Sequence, residues 1–282
     1  MRMGIQVLNI LSWFNNGNGL PHKYSPGGWN RRTTIIVTDE EENNKMKKKI
    51  LVSVPMISLG VLVGLACGQS SSVPKTTNQA VNAQLPRQVS KQVLTSTTMP
   101  AVRLEVDKNF KYVGSQSFVL YDVANAEQHF FVDADKEGRV KRFYWIQFEG
   151  YLPTNTNTYR YKANKIVNLG GLDFIADAHA VNIKANPSPA NSDGSKARSF
   201  LENKGYRIAG DDLLMQRLVH LVDEAKRNEL MIIYLEDLSG LGFTASDLAP
   251  NGRAVGRWGE ISKDLLERTQ KGLKVERLGS GQ

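Results

Sequence analysis

The side chains with the most chemical potential are histidines and carboxylates two residues apart. His129, Asp133 and Asp135 fall on one face of an extended segment, because side chains on a strand repeat every second residue. One imidazole and two carboxylates so arranged could hold a divalent metal or support acid-base work. Both aspartates also adjoin Asp135-Lys136-Glu137-Gly138, a hairpin-turn sequence in which exposed aspartate is routine. Asp177 and His179 repeat the two-residue spacing and would form an orienting pair, with no serine or cysteine nucleophile marked nearby. His220, with Arg217 and Glu224, reads as the solvated side of a helix carrying helix-spaced ion pairs.

Two local patterns imitate known sites without their context. Asp133, Asp135, Glu137 and Gly138 match the opening of a calcium-binding EF-hand loop, but the twelfth position is Tyr144 where a bidentate Glu is required, and strands flank the loop. Gly240-Leu241-Gly242-Phe243 with Ala245 satisfies a dinucleotide-loop pattern and echoes the carboxylate-binding loop of PDZ domains. It lacks a tight strand end and a second parallel strand, and Thr244-Ala245-Ser246-Asp247 looks like a helix start. An ordinary hairpin turn and an ordinary glycine loop are expected. No metal and no cofactor is assigned.

These residues sit on elements that the hydrophobic pattern outlines. Val102, Leu104 and Val106 alternate with polar residues as a half-buried strand does. Runs at 117–123, 128–134 and 139–151 are joined by short turn-rich links and predict an antiparallel meander. The last of these is apolar on both sides, with Val140, Tyr144, Ile146 and Phe148 against Phe143 and Trp145, as in a central strand covered on two faces. A further strand is expected at 172–183.

After residue 195 the period lengthens. A short helix at 195–204 stops at Gly205. Asp211 or Asp212 would cap a longer helix to Asn228 with Leu214, Leu218, Leu221, Val222 and Ala225 on its buried stripe. A buried strand at 230–235 and a helix at 260–271 ending near Gly272 complete the reading. The expected fold class is α+β, an antiparallel sheet with helices packed mainly on one face, in one domain at 101–282.

The formal net charge is +8, but residues 1–66 hold eight Lys/Arg against four Asp/Glu, which leaves +4 for the rest of the chain. That mild excess, spread among acidic residues, is unlike a concentrated phosphate-binding face, so no nucleic-acid partner is expected. A single cysteine rules out an internal disulfide and multi-cysteine metal frameworks.

That cysteine follows a three-part signal. Met46-Lys47-Lys48-Lys49 is a basic start, 50–66 carry no charge, and small residues precede Cys67. Gly64-Leu65-Ala66-Cys67 resembles the lipobox of bacterial lipoproteins, with Gly64 where Leu is usual. The resemblance implies cleavage before Cys67, diacylglyceryl attachment to it, and a lipid-anchored place in the cell envelope facing the periplasm or exterior. Cleavage by ordinary signal peptidase after Ala66, or retention of 46–66 as an uncut anchor, remain alternatives. Residues 1–45 lack any sustained period and are read as an over-extended start before Met46. Residues 67–100, rich in Ser, Thr, Gln and Pro, are read as a flexible tether. The expected function is a membrane-tethered accessory or binding module for an unknown envelope protein or small ligand. The alternative is a periplasmic, possibly metal-assisted hydrolase near His129 and Asp133.

Overall fold

The computed structural model describes residues 87–162 and 165–279. The segments read as an over-extended start (1–45) and an export signal (46–66) lie outside the described residues, as do Cys67 and the tether up to residue 86. No helix among the described residues is long and apolar enough to cross a membrane.

Antiparallel sheet dominates. Strands β1 (Arg87–Ser90), β2 (Val93–Ser96), β3 (Val102–Val106) and β12 (Leu273–Arg277) form a four-stranded sheet in the order β1-β2-β3-β12. The larger sheet contains β4 (Lys111–Leu120), β5 (Ala124–Ala134), β6 (Arg139–Tyr151), β7 (Ile166–Leu169), β8 (Leu172–Asn182), β10 (Asp212–Leu221) and β11 (Asn228–Asp237). Its order is β4-β5-β6-β11-β10-β8-β7, and the short β9 (Arg207–Ile208) pairs in parallel with β6. The expected meander is present in β4, β5 and β6, which are sequential neighbours. Three helices accompany the sheets: α1 (Asp193–Asn203), α2 (Ala245–Leu248) and α3 (Trp258–Lys271).

Both faces of the large sheet are apolar and covered. On the first, Tyr144, Ile146, Leu214, Leu218 and Ile232 pack with Leu94 and Leu104 of the small sheet and Leu265 of α3. On the second, Phe130, Trp145, Met215 and Ile233 pack with Ala197 and Leu201 of α1. α2 and α3 thus lie against the first face and α1 against the second. α1 closes as its sequence suggests: Ser192 caps the start, accepting from the Ser195 N–H at 3.1 Å, and Gly205 at φ 81° lets Tyr206 N–H bond back to Leu201 at 2.9 Å.

Three expectations are corrected. The helix expected from Asp211 to Asn228 is strand β10 followed by a turn. Leu214, Leu218 and Val222 are four apart, a spacing that fits one helix face and, being even, one strand face equally. Leu213, Met215 and Val219, buried on the opposite side, belong only to a central strand. Second, residues 87–100, expected in the tether, hold β1 and β2, and Val89 and Leu94 are packed into the first core. Strands of four residues are too short for alternation to stand out from a polar background. Third, Val140 joins Phe143 and Trp145 and not Tyr144. Asp133 pairs with Arg142 but Ala134 pairs with Val140, so Lys141 is an extra residue, and this bulge switches the side on which Val140 emerges.

Candidate functional site

A cleft of about 490 Å³ opens at one end of the large sheet, with Arg87, Ser117, Asn125, Glu127 and Phe148 among its lining residues. Its size is that of small-molecule sites, roughly 300 to 1,000 Å³. Behind it runs a chain of polar contacts. Arg87 Nη1 donates to Glu127 Oε2 at 2.7 Å, Glu127 Oε1 meets His129 Nε2 at 2.7 Å, and His129 Nδ1 meets the Tyr112 hydroxyl at 3.2 Å. A carboxylate can only accept from Nε2, so the proton belongs there and Nδ1 accepts from the tyrosine. The Arg87 guanidinium also lies 4.0 Å above the Phe148 ring. Burial would raise the Glu127 carboxyl, but the His129 hydrogen bond and the Arg87 charge outweigh it and hold the group below its ordinary range.

His129 thus has partners, but not the expected ones. Asp133 lies four residues along the strand, roughly 13 Å away, and forms an ion pair with Arg142 at 2.7 Å. Asp135 belongs to the hairpin turn, pairing with Arg139 at 2.6 Å and accepting the Glu137 and Arg139 N–H groups at 3.0 and 2.9 Å. The grouping of His129 with Asp133 and Asp135 is therefore replaced by Arg87, Glu127 and Tyr112. No group of three or more His, Cys, Asp or Glu suited to a metal occurs among the described residues.

Asp177 and His179 do meet, at 3.5 Å, and a third residue joins them. Arg217 grips Asp177 through Nε at 3.2 Å and Nη2 at 2.6 Å. Arg217 and His220 are three apart on a strand and face opposite sides, so the shared helix face with Glu224 does not exist. His220 Nδ1 instead approaches the Asp173 carbonyl at 3.0 Å. Gly242, at φ 71°, sits in a plain loop before α2, where Thr244 and Asp247 form a reciprocal capping box.

A second polar group went unread in the sequence. On the α1 face of the large sheet, Glu149 of β6 and Glu229 of β11 are register partners, 4% and 0% exposed. Gln147 Nε2 and the Tyr159 hydroxyl donate to the two oxygens of Glu149 at 2.6 and 2.9 Å. The Tyr161 hydroxyl donates to Glu229 Oε2 at 2.7 Å, while Glu229 Oε1 is buried with no hydrogen-bond partner. Asp193, at the start of α1, is also buried and pushed up to about 6, chiefly by loss of solvent. Burial and then the charge of Asp193 raise Glu149, and burial and then the charge of Glu149 raise Glu229. Each glutamate adjoins an apolar run, Phe148 before one and Leu230 after the other, and reads as its exposed end. Only the pairing of β6 with β11 reveals that the two side chains meet under cover.

What this arrangement offers is a charge-balanced cleft on one face and an unbalanced carboxyl pair beneath the other. Comparison of the chain with known protein families, with curated proteins and with solved structures finds no match in any of the three.

Proposed function

We propose that this chain is a binding module held at the outer side of a bacterial membrane through lipidated Cys67, taking a small ligand or an envelope partner in the cleft beside Arg87. The observation that carries the reading is the cleft, about 490 Å³ in volume. Arg87 and Glu127 already compensate each other there. Apart from Glu149, whose carboxyl is engaged by Gln147 and Tyr159, the rest of the lining offers uncharged groups: Ser117 and Asn125 for hydrogen bonds, and Met99, Val119 and Phe148 for apolar contact. That composition suits an uncharged polar molecule with an apolar side better than an anion.

The stretch from Cys67 to Arg87 spans at most ~70 Å, so a lipidated cysteine would keep the cleft near the bilayer. Two acyl chains give stable anchoring where one is marginal. A hydrolytic centre at His129 has less support, because Glu127 and Tyr112 engage both ring nitrogens and His129 is 3% exposed.

The test is carried out in a bacterial host. Labelled palmitate is expected to enter the wild-type chain, whose mature N-terminus is modified Cys67, and to be lost in Cys67→Ala. A wild-type chain that takes up no label overturns the tether. A photoreactive side chain at Asn125 should then give an envelope adduct that the same group at Ile166, exposed on β7, does not. Equal adducts at both positions would remove the cleft from the proposal.

A further inference from the structure

The four oxygens of Glu149 and Glu229 receive three donors, and the fourth, Glu229 Oε1, is buried with none. Residues directly opposite on antiparallel strands have Cβ atoms roughly 5 Å apart, so the two carboxyls share one patch of the sheet. The guanidinium on that face, Arg217, directs Nε and Nη2 to Asp177. Two carboxylates this close and this dry cannot both ionise without severe cost. One added proton solves both problems, since it cancels a charge and makes a hydroxyl at the oxygen that lacks a donor.

We propose that Glu149 and Glu229 form a proton-binding pair that fastens residues 152–162 over this face of the sheet and loosens them when the proton leaves. The link is covalent on one side and hydrogen-bonded on the other. Tyr159 and Tyr161, which bond the two carboxyls, both belong to that segment, which has no helix or strand of its own. Its other ties among the described residues include Leu152 N–H to the Val123 carbonyl at 2.8 Å and Arg217 over the Tyr161 ring at 5.3 Å. Tyr159 N–H bonds the Lys226 carbonyl at 2.8 Å, the Tyr159 ring stacks on Tyr151 at 4.4 Å, and Arg227 holds the carbonyls of Leu152 and Asn157 at 2.9 and 3.1 Å. β6 and β11, by contrast, are central strands paired on both sides. When the pair becomes doubly anionic, the segment is what yields.

The other charged groups around the pair set its sign. Asp193 from α1 adds negative charge, and Asp177 and His179 from β8 engage each other and Arg217 of β10. Arg227, after β10, is directed at the segment's carbonyls. Burial comes first in raising both glutamates, followed for Glu149 by the charge of Asp193 and for Glu229 by that of Glu149; Arg217 opposes the rise at Glu229 without cancelling it, so the bound proton persists above the ordinary carboxylate range. Folded-state binding is then tighter than in the opened state, and the closed form loses ground as pH rises.

Amide hydrogen exchange on the full chain, corrected for the intrinsic pH dependence, tests it. Between about pH 6 and about pH 9 the peptides covering 152–162 should lose protection by roughly tenfold per pH unit at most, while β10 peptides should not. Glu229→Gln, neutral at every pH, should keep the low-pH protection throughout. Unchanged protection in the wild type, or an equal loss in Glu229→Gln, overturns the proposal. Infrared spectra of the wild type decide it even if the variant fails to fold. A carboxylic-acid C=O band should survive at neutral pH and vanish together with the protection, and its absence at neutral pH is fatal to the idea.

Discussion

The polar groups on the two faces of the large sheet follow opposite rules. On the small-sheet face, Arg87, Glu127, His129 and Tyr112 form a line in which one cation meets one anion and the neutral groups extend it. On the α1 face, Glu149, Glu229 and Asp193 converge with tyrosine and glutamine donors, and the charge of Arg217, which also grips Asp177, lowers Glu229 without offsetting its burial. The first group balances its charge at neutral pH, although Arg87 Nε, like Glu229 Oε1, is buried without a hydrogen-bond partner. The second needs a proton to lower its charge. Burial differs as well, with the Glu127 side chain 24% exposed and Glu149 and Glu229 at 4% and 0%, so burial and charge balance together separate a network holding an ordinary ionised carboxylate from one whose carboxyls keep protons into the neutral range. Stability should therefore respond to pH with opposite sign on the two faces.

The largest way to break the comparison is to remove the cation from the balanced side. A chain beginning at residue 101 loses Arg87 and with it β1 and β2, including the fully buried Leu94. Burying one leucine side chain contributes roughly 1.5–3 kcal/mol, and β3 would lose its β2 neighbour as well. The shortened chain should unfold without a cooperative thermal transition, whereas one beginning at residue 83 should keep it. Equal melting of the two would return 87–100 to the tether.

That boundary shows where sequence patterns reach and where they stop. The strands from Val102 to Tyr151 announce themselves by alternation or by doubly apolar runs, and α3 by its stripe of Ile261, Leu265 and Leu266. β10 does not, because leucines four apart satisfy both periods. The sites divide in the same way. His129 is visible as a residue type beside Glu127, but Arg87, which completes the line through Glu127, lies 40 positions before that glutamate and is supplied only by the packing of the two sheets. Glu149 and Glu229 are 80 residues apart, and no local spacing connects them. Pairing between distant strands is information that a periodicity does not contain.

The next test uses the sign of the pH response. Glu127 has a lowered carboxyl, so its contribution is present above the unfolded-state value and is lost as pH falls through the folded one. Glu127→Gln removes the charge, leaving Arg87, 10% exposed at its side chain, without its anion. With partial screening by solvent, a loss of about 2 kcal/mol at neutral pH is expected, shrinking toward zero below about pH 4. Urea midpoints across that range measure it. Glu229→Gln should do the reverse, matching the wild type in acid and exceeding it as pH rises. If both variants drift in the same direction with pH, charge balance is not what distinguishes the faces.

The smallest expected effect sharpens the description of the balanced side to a single proton. In Tyr112→Phe the ring keeps its contacts, stacked against His129 at 6.2 Å between centroids and tilted against Phe131 at 5.0 Å, so only the hydroxyl is lost. His129 Nδ1 then becomes a buried acceptor without its tyrosine donor, which should cost about 1 kcal/mol. Nitrogen-15 spectra of the His129 ring read the arrangement directly. The wild type should show the proton on Nε2, where Glu127 accepts it. A wild-type ring protonated on Nδ1 would reverse the two His129 bonds, with Tyr112 accepting and a protonated Glu127 donating, while Arg87 still donates to Glu127. The cleft would then be bordered by a carboxyl in need of its own proton, and the contrast between the faces would disappear.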